Sequence, residues 1–169
     1  PVSWTFKREM LWSEHGPVMR NKQGTFALRF VGYGETRQLE QWYRMNKARN
    51  LDEFLGAMRL NYLTSLNTLY ADKDGNLFYS YTGRFPKRAE GFDWAGVLPG
   101  NTSETIWTEF LPFEAVPQVL NPPSGFVQSC NNSPYRTTVG EGNPSPSGFS
   151  ETLGIETRMT NRGLRALEL

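Results

Sequence analysis

Apolar and polar residues alternate through residues 7–30, with breaks at Gly16-Pro17 and at Lys22-Gln23-Gly24. A period of two marks half-buried strands, and the two breaks divide the stretch into two or three antiparallel ones. Between residues 35 and 60 the period lengthens to that of a helix. Leu39, Trp42 and Tyr43 share one helical face, and Leu51, Phe54, Leu55 and Met58 repeat the spacing one helix later. Asn50 followed by Glu53 predicts an N-terminal cap: the Asn side chain accepts from a free first-turn amide while Glu53 favours the positive end of the dipole. The second helix is therefore expected to start near Leu51.

Two short apolar and aromatic runs, residues 67–71 and 76–82, flank Asp72-Lys73-Asp74-Gly75, which predicts a β-hairpin with positive φ at Gly75. Residues 84–123 are rich in Pro, Gly and aromatics without periodicity, so a long ordered excursion over a surface is expected there. One more strand is expected at residues 125–130, a mobile loop at 141–148 and a helix over 157–169. Sheet, then helices, then sheet predicts an α+β fold in which an antiparallel sheet packs against helices, over a single domain spanning residues 1–169.

Composition narrows the chemistry. Eighteen Lys and Arg against 17 Asp and Glu leave a net charge of +1 in 169 residues, too weak a field to imply nucleic acid or an anionic membrane as partner. No run approaches the roughly 20 apolar residues that a membrane helix needs. One cysteine, Cys130, rules out an internal disulfide framework, and no cofactor motif is present. One histidine, His15, rules out any scheme that needs two.

Asp72, Asp74 and Asn76 occupy alternate positions of a calcium-loop pattern, but the closing position holds Gly83, so a hairpin turn is the better reading. Ser13-Glu14-His15 is not a triad, because on a strand Glu14 points away from the other two; a bare Ser-His pair stays open beside a merely structural histidine. The aromatics from Phe78 to Phe113 suit either a core or a stacking surface for an acyl chain or sugar. The most informative stretch runs from Asn121-Pro122-Pro123-Ser124-Gly125 to Cys130-Asn131-Asn132-Ser133-Pro134. Side-chain amides held there can donate to an anionic oxygen, as acyl transfer requires, although Asn-Asn-Ser-Pro is also ordinary turn chemistry.

That stretch resembles the penicillin acylase family of N-terminal-nucleophile hydrolases. Phe110-Leu111-Pro112-Phe113-Glu114, Tyr70-Ala71-Asp72 through Gly75-Asn76, Thr82-Gly83-Arg84, His15-Gly16-Pro17-Val18 and Thr157-Arg158-Met159-Thr160-Asn161-Arg162 extend the resemblance in family order. It is nearest to the branch of aculeacin and acyl-homoserine-lactone acylases. The resemblance implies an αββα layer fold and an amidohydrolase that cleaves an acyl group from an amine-bearing head group through an acyl-enzyme intermediate. It implies that Asn131 faces the oxyanion, and that Arg158, or failing it Arg162, supports the site. His15 matches a structural position. Pro1 has neither hydroxyl nor thiol to be the nucleophile, so the chain is expected to be an internal piece, inactive alone. Its partners would be the remaining segments and second subunit of the parent acylase and a small acyl amide substrate. The isolated piece is expected to self-associate, and the parent to be periplasmic or secreted.

Overall fold

The computed structural model describes residues 3–169; Pro1, and the expectation attached to it, lie outside them. The first sheet is a meander of β1 (Leu11–Ser13), β2 (Gly16–Asn21) and β3 (Gly24–Ala27). Glu14 and His15 form the β1–β2 turn, in which the Ser13 hydroxyl donates to the Gly16 carbonyl at 3.2 Å and accepts from the His15 backbone amide at 3.3 Å. The serine is thus spent on the turn and makes no pair with the imidazole. Gly16 is obligatory: its φ is +131°, and a Cβ there would fall 2.3 Å from the Leu28 carbonyl oxygen.

Helices α1 (Gln38–Lys47) and α2 (Leu51–Met58) follow. Asn50 caps α2 as expected, its side chain accepting from the Glu53 amide at 2.9 Å. The expected inner face of α1 is overturned. Leu39 and Tyr43 are 79% and 65% exposed, whereas Gln41 and Met45 face inward. Gln41 decides the rotation: fully buried, its Oε1 accepts from the Tyr62 and Leu63 amides at 2.7 and 2.9 Å. Those amides in the link to the next strand have no ladder partner, and burying them unpaired would cost more than exposing a leucine.

The second sheet orders β4 (Ser65–Ala71), β5 (Leu77–Gly83) and β6 (Gln118–Leu120), all antiparallel. The hairpin turn is held by Asp72, whose Oδ1 accepts from the Asp74 and Asn76 amides and whose Oδ2 accepts from Tyr70 Oη and Asn76 Nδ2. With both oxygens so engaged, the carboxylate organises a turn and not an ion, and Gly75 takes φ +86°. One face of this sheet packs on the helices: Phe54 stands 4.5 Å from Tyr70 and 6.5 Å from Phe78, which meets Phe113. Met45, Met58 and Leu63 complete that core.

The strand expected at residues 125–130 does not form. Gly125 turns at φ +65°, and the Gln128 amide donates to Thr137 O while its side chain donates to Arg136 O, so the segment bonds to the loop beyond it. The third strand lies earlier, at Gln118–Leu120, inside the excursion that showed no periodicity. Residues 141–145 are irregular and lead into a 3-10 turn at Pro146–Gly148, with Asn143 fastening the stretch to Thr137 and Thr138. The last helix, α3 (Asn161–Glu168), starts later than expected because Thr160 caps it, accepting from the Gly163 amide at 3.0 Å.

Candidate active site

The sheet face opposite the helices carries Asn67, Tyr79 and Tyr81, and residues 126–137 lie across it. Tyr79 Oη donates to Asn67 Oδ1 at 3.2 Å, and Asn67 Nδ2 donates to Ser129 Oγ at 2.8 Å. Burial pushes the Tyr79 phenol well above its ordinary pKa, so it stays protonated as a fixed donor. This chain of bonds delivers Asn131 and Asn132 to the rim of a cleft of about 560 Å³. Tyr81 and Phe85, stacked at 5.8 Å, form part of its apolar wall, and Phe30 and Val31 form another.

Asn131 itself is exposed, with φ +56°, a left-handed backbone that asparagine tolerates better than most residues. The neighbouring Asn132 has a different task. Its buried Oδ1 accepts from the Cys130 amide at 2.9 Å and its Nδ2 donates to Ser133 O, which closes the turn beneath Asn131. α3 docks on that turn through Gly163, where a Cβ would come within 2.6 Å of Asn132 Oδ1. From this position Arg162 Nη2 donates to both Cys130 O and Asn131 Oδ1, each at 3.2 Å.

Of the two expected arginines, then, Arg162 reaches Asn131 through its side chain. Arg158, the first choice, contributes its backbone carbonyl, which accepts from the Ser133 amide at 3.0 Å; its exposed guanidinium lies 3.5 Å from Glu156. With Oδ1 occupied by a cation, the Asn131 amide has one orientation, Nδ2 outward. His15 lies apart from this cleft, at a different cavity.

A feature with no sequence signal completes the cleft. The Glu35 carboxylate, 2% exposed, accepts from Arg37 Nε and Nη2 at 2.8 and 2.7 Å and from Arg84 Nη1 at 3.0 Å. The Arg37 guanidinium holds the Glu35 pKa down at about 2, with Arg84 adding to the effect. Arg84 lines the cleft and stacks over Phe110 at 4.2 Å, so the network fastens the loop bearing Phe30 and Val31 to the end of β5. Glu35 and Arg84 lie 49 positions apart, and nothing local pairs them.

The family model described as penicillin amidase matches residues 4–169. The chain belongs to the penicillin amidase family. Penicillin G acylase of Escherichia coli is 36% identical over 126 residues, covering 72% of this chain and 15% of that protein. The acyl-homoserine lactone acylase QuiP of Pseudomonas fluorescens is 25% identical over 171 residues, covering 92% of this chain and 21% of that one. A solved structure of a thermostable penicillin G acylase from Alcaligenes faecalis superposes with a TM-score of 0.66 at 30% identity, over 79% of this chain and 24% of that one. The α+β class expected of a penicillin amidase relative is what the two antiparallel sheets and three helices display. This penicillin amidase chain spans between about a seventh and a quarter of the length of those relatives.

Proposed function

We propose that this chain is the oxyanion-binding part of an amide hydrolase that cleaves an acyl group from an amine-bearing head group through an acyl-enzyme intermediate. The observation that carries the reading is the Asn131 amide at the rim of an acyl-sized cleft, its oxygen taken by Arg162 so that Nδ2 points outward. As a nucleophile adds to the amide carbonyl, negative charge gathers on the carbonyl oxygen, and a donor already oriented there stabilises that charge without reorganising. Asn131 is the catalytic donor and Arg162 a positioning residue. The Tyr81–Phe85 wall suits an apolar acyl group.

In an N-terminal-nucleophile hydrolase one residue supplies both the attacking hydroxyl or thiol and, through its α-amino group, the base, and we place that residue in another segment of the parent acylase. Membership of the penicillin amidase family and relatives named as acylases of penicillin G and of acyl-homoserine lactones support the amide-hydrolase reading. The test is Asn131→Ala in the intact protein, with kcat on an acyl amide and thermal unfolding measured together. A fall in kcat of about a hundredfold or more with unaltered unfolding is expected. Unchanged turnover would mean that Asn131 is only a turn residue and the cleft a noncatalytic binding surface.

A further inference from the structure

A second cavity, of about 500 Å³, opens between β3 and the excursion, walled by Phe26, Leu28, Trp94 and Trp107. Its charged residues are two arginines, Arg29 and Arg88, and no carboxylate lines it. Neither guanidinium is in an ion pair among the described residues, in contrast to Arg37 and Arg84. Arg29 donates to the backbone oxygens of Glu14 and Trp107 at 2.8 and 2.9 Å, and Arg88 to Thr152 O at 2.8 Å. Arg88 lies 5.3 Å from the centroid of Trp94 and 5.5 Å from that of Trp107, which also has Arg29 above it at 5.5 Å.

The polar balance of the cavity is one-sided. Arg88 Nε and Trp107 Nε1 are both shut off from solvent without an acceptor, and burial lowers the pKa of Arg88. Buried donors and an uncompensated cation are costly, and the costs share one remedy, a negatively charged acceptor close by. Carboxylate is the geometric match for guanidinium, and the aromatic walls exclude a small hydrated ion in favour of one with an apolar body. We infer that this cavity is a binding site for an organic carboxylate, its head on the Arg29–Arg88 edge and its hydrocarbon body against Trp94, Trp107 and Phe26.

Arg88 also lines the cleft that holds Asn131, so the two cavities share a wall. Resting on the hydrolase reading above, this shared wall gives the inferred site a place in the chemistry: hydrolysis of an acyl amide releases a carboxylate with an apolar body beside the cavity suited to receive it.

The experiment is titration of the intact protein with octanoate, following the indole N–H resonances of Trp94 and Trp107, with octylamine as a probe of equal hydrocarbon and opposite charge. Octanoate is expected to shift both resonances, with affinity that falls as salt rises, and octylamine to leave them in place. Arg88→Gln is expected to weaken octanoate at least tenfold, and Arg29→Gln, which alters a more exposed residue, to weaken it severalfold. Asn131→Ala, tested alongside, is expected to leave the affinity unchanged, which separates this site from the hydrolytic cleft. Equal shifts from octylamine, no shift from octanoate, or affinity unmoved in both arginine variants would overturn the inference whatever the turnover of Asn131→Ala.

Discussion

Arg162 offers a quantitative check, because its assigned work is only to orient another side chain. Removing it as Arg162→Ala deletes the donor to Asn131 Oδ1 and to Cys130 O, two bonds of 3.2 Å on an exposed surface. A hydrogen bond to a charged group contributes about 1.5–3 kcal/mol when short and sheltered; length and exposure bring this one to about 1 kcal/mol. Without it the ratio between the two Asn131 amide orientations shifts about fivefold, so the fraction presenting Nδ2 falls from about five-sixths to about half. The expected result is therefore a kcat about twofold lower at unchanged KM, far less than the loss in Asn131→Ala. The double variant decides the issue, since orientation is worthless once the amide is gone. Arg162→Ala should cost nothing further in an Asn131→Ala background. If the same loss of about twofold persists there, Arg162 acts on the reaction independently and is not a positioning residue.

Other expectations follow from the fold. Gln41→Leu leaves the Tyr62 and Leu63 amides without an acceptor and should cost about 2–4 kcal/mol, read as a lower midpoint in urea unfolding; an unchanged midpoint would refute the role given to this buried amide. Gly163→Ala places a methyl against Asn132 Oδ1 and should lower kcat by shifting α3 and Arg162 while leaving the helical circular dichroism intact. Glu35 ionises more readily folded than unfolded, so its contribution to stability is complete above about pH 4.5 and is lost as pH falls towards about 2. Acid unfolding of Glu35→Gln should accordingly be flatter across that window, and a parallel profile would show that the carboxylate is not the group responsible.

What the sequence made legible is what neighbours along the chain decide. The β4–β5 hairpin and the Asn50 cap were readable because their hydrogen bonds close within a few residues. The inner face of α1 was not, since hydrophobic spacing favours Leu39 and Tyr43 while the burial of Gln41 answers a need of amides more than twenty positions away. β6 is three residues long, too short for a period to show, and its pairing with β5 joins residues about forty positions apart. The segment bearing Asn131 stands out by its setting and family resemblance, whereas which of Arg162 and Arg158 lies beside it turns on where α3 begins. That start depends on Thr160, whose hydroxyl also donates to Cys130 O, thirty positions earlier.

The same closure has a consequence for how such proteins can diverge. Ser133 N to Arg158 O, with Thr160 and Arg162 to Cys130 O, staples the two feet of the intervening excursion together. Inserted or deleted residues between those feet alter a loop whose ends are already tied, and each doubling of such a loop costs only about 0.6 kcal/mol. The mostly exposed stretch from 144 to 151 is thus free to be rewritten, reshaping the surface near the cleft while the bonded segments on either side keep their places.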